Sequence, residues 1–533
     1  MIDSKKTFTE TMAFRRTDWL ALAVLLLLAF FWRSISLANS QLINNDGLVY
    51  LLQAKALYFR QSEMYLKVYP FPTNLSFMIA GLYHWLGDWI LAGRLISLFF
   101  GGLTVLPLYG LARQFWQLPT AFIIVLTYSV SPTFVEFSRD ILRGPPFWFF
   151  YTLGMLLFCR YLEKYDGRLL LAVILAFLLA AWSRIEGLLP LLMVGLWLLI
   201  DRRARSWSHL AIYCLTLLLP MLTSAYLMQF YPICNSIFKP FFVSVGERLT
   251  LLAHCHLNIR QALRDLAQSP PFGVAPYFFD ETRHLLWFLA LGVIGRCVVR
   301  AFSWPLLLLC FVGLWRRNKT VVGNDAQLRG RLFLVLMLIG AFLLFYGHVV
   351  LSWASSERFT AIIYFPFLIF LGFGIEKIVT LLQQKMRWQT RHSFIGLGLL
   401  WMALAFPQFF DHGRRDYKIP FKNFGQQLAA KHTSESGVRI LSTTKAALYT
   451  YLYANLSQTQ VRPLGEQCRI IGSCDIDENL LRKGGFDYLI VLDDDGSRTR
   501  LAQVLASGQV PQLRLVAEMT IPKYGRVYFY ELP

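Results

Sequence analysis

Long apolar runs alternate along the chain with short stretches rich in lysine and arginine. A membrane-crossing helix needs roughly 20 mostly apolar residues. About eleven runs approach that requirement, over 19–36, 92–112, 120–131, 145–160, 169–182, 188–200, 209–231, 302–315, 332–353, 362–374 and 394–410. Two more apolar stretches, 75–86 and 285–299, read as helices lying at the outer surface or half-buried. After 410 the pattern changes. Short β-type runs at 438–441, 488–492, 513–518 and 527–530 alternate with helix-like stretches at 421–431 and 443–453. Such alternation predicts a small α/β domain. The expected architecture is an all-α polytopic membrane domain over 1–410, with a long first outer loop at 37–83, followed by an α/β domain over 411–533.

The basic stretches set the orientation. Cytoplasmic loops carry an excess of Lys and Arg. Lys5, Lys6, Arg15 and Arg16 precede the first run, which places the N-terminus inside. Alternating crossings then put Arg113, the Arg160/Lys164/Arg168 group, Arg202/Arg203/Arg205, Arg316/Arg317/Lys319/Arg329/Arg331 and Lys377/Lys385/Arg387/Arg391 on the same inner side. Eleven crossings leave the C-terminal domain outside. The expectation is a multi-pass protein of a bacterial inner membrane, with a cytoplasmic N-terminus and a periplasmic C-terminal domain. Ser36-Leu37-Ala38 resembles a signal-peptide cleavage site, but the first apolar run is long for one and the chain stays hydrophobic beyond it.

Composition agrees with this pattern. Of 533 residues, 56% are hydrophobic and only 16% charged, and the mean hydropathy is +0.47. Soluble domains average about 25% charged residues, so a soluble enzyme, a disordered chain and a fibrous protein are excluded. The net charge of +20 would suit a nucleic-acid binder, but basic inner loops against anionic lipid explain it. Eight cysteines without a C-x-x-C pair give neither a disulfide scaffold nor a zinc site. Cys468 with Cys474, and Cys234 with Cys255, fit either disulfides in an oxidising compartment or free thiols. His254-Cys255-His256 lacks a nearby third ligand, so no metal site is expected.

Polar groups at the outer ends of the runs are informative, because such groups are costly near a membrane unless they function or are paired. The first outer loop contains Asn44-Asn45-Asp46-Gly47, then an apolar pattern at helical spacing with Gln53, Lys55 and Arg60 among it. That segment reads as an amphipathic interfacial helix. Asp46 stands at its start, as a helix cap or as a working acid. Glu136, Arg139, Asp140 and Arg143 follow the third run. Carboxylates and guanidiniums together suit phosphate binding and hydroxyl activation, or a salt-bridged loop. Arg184 with Glu186, and Glu357 with Arg358, mark two further outward turns. No phosphate-binding glycine loop is present, so a cytoplasmic nucleotide site is not expected. Gly101-Gly102, inside an apolar run, suits close helix packing.

In order, these features resemble the polytopic glycosyltransferases of the C-type fold, in the branch of the protein O-mannosyltransferases and the lipid A aminoarabinose transferase. The matching pieces are Asp46 with Tyr50 and Ala54, then Leu86-Gly87 and Ala92-Gly93-Arg94-Leu95, and Tyr109-Gly110-Leu111-Ala112-Arg113. Ser131-Pro132, Ser138-Arg139, Ser183-Arg184-Ile185-Glu186-Gly187 and Glu357-Arg358-Phe359 follow. The resemblance implies transfer of a sugar from a polyprenyl-phosphate donor to a glycolipid, lipopolysaccharide or protein acceptor on the outer face, with inversion. It implies Asp46 as the general base or as the group that positions the acceptor, and arginines that neutralise the leaving lipid phosphate, with Arg358 first, then Arg139 and Arg184. Asp140 and Glu136 are the other catalytic candidates. Glu357, Glu186, Tyr50, Lys55 and Arg94 are further substrate-binding candidates. No cofactor is implied. Two positions depart from the family pattern: Gly47 stands where many relatives have a second acid, and Gly144 where many have an acid before the proline. The competing class is a transporter, flippase or polymerase of lipid-linked glycans. Neither two related halves nor interrupted mid-membrane helices favour a transporter here.

Overall fold

A computed structural model describes residues 14–69, 73–230, 250, 254–302, 304–315, 325–353, 356–406, 415–432, 437–461, 467–472, 475–476, 481, 484–493, 495–506, 513–522 and 524–532. Lys5, Lys6, Arg316, Arg317, Lys319, Cys234 and Cys474 lie outside these residues. The chain divides into two units. The first comprises 1–35, 97–139 and 143–408, and the second 36–96, 140–142 and 409–533.

The first unit is helical, as the apolar runs require. Across the described residues, five helices are long and apolar enough to cross a membrane: Arg16–Ala38, Trp89–Phe115, Pro276–Phe302, Asp325–Ser352 and Glu357–Met386. A bent pair, Leu118–Ser129 and Pro132–Arg139, makes a sixth if it is one span. Gly167–Ser183, Ile185–Ile200 and Trp304–Gly313 are apolar but shorter. The sequence count of eleven therefore includes several short segments. Pro276–Phe302 is one continuous helix of 27 residues, where the sequence suggested a surface or half-buried helix at 285–299. Its charges, including Arg283 and Arg296, break up the apolar signal.

Two buried charged residues of this unit, Asp18 and Arg33, are held by several hydrogen bonds. Asp18, at the start of the first helix, accepts from Arg113 Nε at 2.6 Å and from the Tyr109 hydroxyl at 2.8 Å. Arg33 is fully buried. It donates to Ser138 Oγ at 3.2 Å and to the carbonyls of Ala29 and Ser129 at 3.0 and 3.1 Å. A side chain at Gly101 would fall on Ser138 Oγ and crowd Arg33 Nε, so this glycine does serve close packing.

The second unit contains a five-stranded sheet in the order β2-β1-β3-β5-β4. The strands are β1 Ile440–Ser442, β2 Cys468–Ile470, β3 Tyr488–Leu492, β4 Arg514–Ile521 and β5 Gly525–Glu531. β1 pairs in parallel with β2 and β3, while β5 runs antiparallel to β3 and β4. Four of the strands coincide with the sequence-predicted runs. β2, with the exposed Arg469 at its centre, left no apolar run to read, unlike the equally short but fully buried β1. Cys468 on β2 is a buried free thiol.

The first outer loop folds with the sheet into this second unit. Its helix Asn45–Tyr58 is buried from Gly47 through Ala56 apart from Val49, so it is not the amphipathic interfacial helix that the spacing suggested. The physical reason lies in its polar residues, which are satisfied internally. Gln53 donates to the carbonyls of Tyr65 and Tyr69 at 3.4 and 3.2 Å and accepts from Thr73 and Ser76 at 3.1 and 2.6 Å. The Lys55 amine donates to the carbonyls of Asn455 and Leu456, both at 3.0 Å. Gln61 donates to the Thr459 carbonyl and accepts from the Val461 N–H, both at 2.8 Å.

Candidate active site

In the second unit, two of the three candidate acids, Asp46 and Asp140, flank one close approach between Gly47 and Ile141. Asn44 occupies the N-cap position of Asn45–Tyr58, but its side chain does not cap the helix. Its Oδ1 instead accepts from the backbone N–H of Ile141 at 3.1 Å. A Cβ at Gly47 would lie 2.7 Å from Asn44 Oδ1 and 3.0 Å from Ile141 Cβ. Only a glycine lets the 140–142 segment lie against the start of this helix. Asp46 and Asp140 each precede a partner of that contact by one residue. A side chain at position 47, where many relatives have an acid, would crowd Asn44 and Ile141 in this structure. Asp46 lies in the first turn rather than at the cap, where a carboxylate interacts well with the helix dipole. It keeps partial solvent access.

Asp140 has almost none, being 1% exposed. Arg415 clasps it with two parallel bonds, Nη1 to Oδ1 and Nη2 to Oδ2, each 2.8 Å. This fork-to-fork pairing is the strong form of a guanidinium–carboxylate bond. Arg415 was absent from the sequence reading, because nothing local links residues 275 positions apart.

Three residues expected near substrate belong to the packing of this unit. Burial pushes the Lys55 amine down to about 8, and its two carbonyl bonds hold the first outer loop to the segment after the helix Ala447–Ala454. Arg94 donates to the carbonyls of Ser40 and Leu42 at 2.9 and 2.7 Å. The Tyr50 ring is buried, edge-on to Tyr69 with centroids 6.0 Å apart.

The first unit holds the remaining candidates. Glu136 and Arg139 pair at 3.3 Å, one turn apart on the helix Pro132–Arg139. Arg184 ends the helix Gly167–Ser183 and turns back on Glu186, with bonds of 2.6 and 3.2 Å. Burial opposes the charge on Glu186, but Arg184, with Arg143 beyond it, overrides that and holds the carboxyl down to about 2. Glu357 faces Arg300 at 3.5 Å.

The Phe359 ring is the meeting point of this group. The guanidinium carbon of Arg184 lies 4.8 Å from its centroid and that of Arg358 5.1 Å. The His348 ring lies 4.4 Å away at 33°. Arg184 also lies 5.9 Å from the Phe147 ring. Arg143, Arg184, Arg300 and Arg358 thus outnumber Glu186 and Glu357, so the group is net positive and suited to an anion. Sequence reasoning named Arg184 and Arg358 but missed His348 and Phe359 as members. A helix end in an apolar run gave no signal for the first, and the second was read only as part of the Glu357-Arg358-Phe359 piece of the resemblance, without a role. Among the described residues, no three His, Cys, Asp or Glu side chains come together to hold a metal ion.

The arrangement of apolar helices with a small sheet domain is the C-type glycosyltransferase fold, as the sequence resemblance implied. Over residues 72–228 the chain matches the family model described as dolichyl-phosphate-mannose-protein mannosyltransferase. Among solved structures, it is similar to ArnT from Cupriavidus metallidurans bound to undecaprenyl phosphate. The TM-score is 0.55 and the identity 13%, over 97% of this chain and 99% of that one. It is also similar to the Archaeoglobus fulgidus oligosaccharyltransferase tethered to an acceptor peptide. Here the TM-score is 0.52 and the identity 11%, over 89% of this chain and 69% of that one. The family model and both neighbours are glycosyltransferases. No curated protein matches the sequence.

Proposed function

We propose that the protein is an inverting membrane glycosyltransferase that moves a sugar from a polyprenyl-phosphate donor to a glycolipid, lipopolysaccharide or protein acceptor on the outer face of a bacterial inner membrane. The observation that carries this reading is the Gly47–Ile141 approach, which gathers Asp46 and Asp140 in one unit and gives them different environments. Asp140 is buried and committed to Arg415, so it orients rather than accepts protons. Asp46 keeps solvent access and is the general base, taking the proton of the acceptor hydroxyl as the glycosyl bond breaks. The net-positive group around Phe359 supports the second half of the chemistry. Negative charge grows on the lipid phosphate as it leaves, and guanidiniums held in a low-dielectric setting stabilise it more than they stabilise the donor. Arg358 and Arg184 are the phosphate ligands in this reading, with Arg139 beside Glu136 as a further cation at the outer edge.

The test is transfer from a radiolabelled polyprenyl-phosphate sugar by detergent-purified protein, with envelope glycolipid and protein fractions as acceptors. Label appearing in one fraction supports the reading. Movement of the lipid-linked sugar across a vesicle membrane without transfer would instead establish a flippase.

A further inference from the structure

Phe359 has no chemistry of its own, yet two guanidiniums and an imidazole from three separate parts of the first unit converge on it. Arg184 comes from the end of the helix Gly167–Ser183, and His348 from the last turns of the helix Asp325–Ser352. Arg358 is its neighbour in the 3-10 turn Glu357–Thr360. That turn is itself fixed locally. The Phe359 N–H donates to the Ser356 carbonyl at 3.0 Å, and the Thr360 hydroxyl to the Glu357 carbonyl at 2.6 Å.

Two like charges repel, and nothing in a flexible arginine side chain fixes its distance from another. An aromatic ring changes this. Its negative face attracts a cation within about 6 Å of the centroid, and more strongly when water is excluded. Both guanidiniums meet that distance on one ring. Glu186 fixes Arg184 from the other direction, through two bonds to the same guanidinium.

We propose that Phe359 is a positioning residue for anion binding: its ring holds the guanidiniums of Arg184 and Arg358, 4.8 and 5.1 Å from its centroid, ready for a lipid phosphate. This rests on the reading of the Arg358 group as the phosphate site. Without the ring, Arg184 keeps its bonds to Glu186, but Arg358 is held less firmly and must be ordered more by the ligand, which lowers affinity.

The experiment uses the full-length protein in detergent, with undecaprenyl phosphate alone as the probe, so that neither donor sugar nor acceptor is needed. Phe359→Leu removes the negative face and keeps an apolar side chain; binding is expected to weaken about tenfold. Phe359→Tyr keeps the face and is expected to bind within about twofold of the native protein. Incorporating mono-, di- and trifluorophenylalanine at 359 depletes the ring face stepwise with little change in shape. Affinity should fall with each fluorine while the melting temperature holds. This series stands even if Phe359→Leu fails to fold.

Equal affinity across the fluorinated series would overturn the proposal, as would a Phe359→Tyr protein as weak as Phe359→Leu. Arg184→Ala and Arg358→Ala separate the two levels of the argument. If they abolish binding while the ring variants do not, the platform is wrong and the phosphate site stands. If neither arginine variant changes binding, the phosphate site itself is wrong and the platform falls with it.

Discussion

Arg415 holds Asp140 through both of its terminal nitrogens, each 2.8 Å from a carboxylate oxygen. One carboxylate is thereby taken out of proton transfer, and the 140–142 segment is tied to the start of the C-terminal domain within the second unit. Removing one partner of such a pair strands the other charge, which costs on the order of 3 kcal/mol. Arg415→Ala is therefore expected to lower the stability of the purified protein by about that amount, and Arg415→Lys by less, because it keeps charge but not the fork. Denaturation of Asp140→Asn, Arg415→Ala and the double variant measures the coupling. Additive losses would show that the clasp contributes nothing of its own.

How much of this could be read from the sequence depended on the range of the signal. Hydrophobic runs and alternating strands are local, so most helices and β1, β3, β4 and β5 were legible. β2 was broken by Arg469, and Pro276–Phe302 was interrupted by charge. Asp46, Asp140, Arg184 and Arg358 stood out because charged residues are rare beside apolar runs. Glu186, two residues from Arg184, stood out with it, but the distant partner Arg415 of Asp140 did not. Lys55 looked like one of the polar residues on a helix face, and only the fold shows it reaching the carbonyls of Asn455 and Leu456. Gly47 looked like a missing acid, and only the fold shows Ile141 lying against it.

Lys55 gives a pH test. Burial holds its folded pKa at about 8 against an ordinary 10.5. A base with a lowered folded pKa carries its full penalty below that value. The penalty is relieved as pH rises from about 8 to 10.5, so its contribution to stability increases with pH across that window. Lys55→Met removes the proton exchange. The stability difference between native protein and variant should change by up to about 3 kcal/mol from pH 8 to pH 10.5, in favour of the native protein. A difference that stays flat over this range would mean that Lys55 is not strained in the fold.

From the basic loops, read with eleven crossings, we propose that the C-terminal domain lies outside. A reporter that matures only in the periplasm, fused after Pro533, is expected to be active, and a reporter that needs the cytoplasm to be silent at the same position. The reverse result would remove the eleven-crossing scheme and the outer-face reaction with it.

Arg358 separates charge from geometry. Arg358→Lys keeps the charge but loses the planar fork. Transfer is expected to fall about tenfold with Lys and about a hundredfold with Ala, the scale of charged hydrogen bonds, while folded yield changes little. Full transfer by Arg358→Ala would leave Arg358 with a structural role only.

Asp46 decides the enzyme reading. It sits in the first turn of Asn45–Tyr58, two residues past Asn44, which holds the capping position. A substitution to Asn removes the negative charge near the helix N-terminus, worth about 0.3–1 kcal/mol at an exposed site, and keeps the size of the side chain. If Asp46 contributed only this, melting would drop slightly and transfer would follow the amount of folded protein. As general base it makes a far larger difference, since losing such a group typically costs about a hundredfold to ten-thousandfold in rate. The expected outcome for Asp46→Asn is a protein that folds, still binds undecaprenyl phosphate and transfers sugar at least a hundredfold more slowly. Intact lipid binding matters, because it shows that the donor site has survived and that the loss lies in the chemical step. A well-folded Asp46→Asn protein with undiminished transfer would shift the base to Glu136, the remaining candidate carboxylate outside the Arg415 clasp.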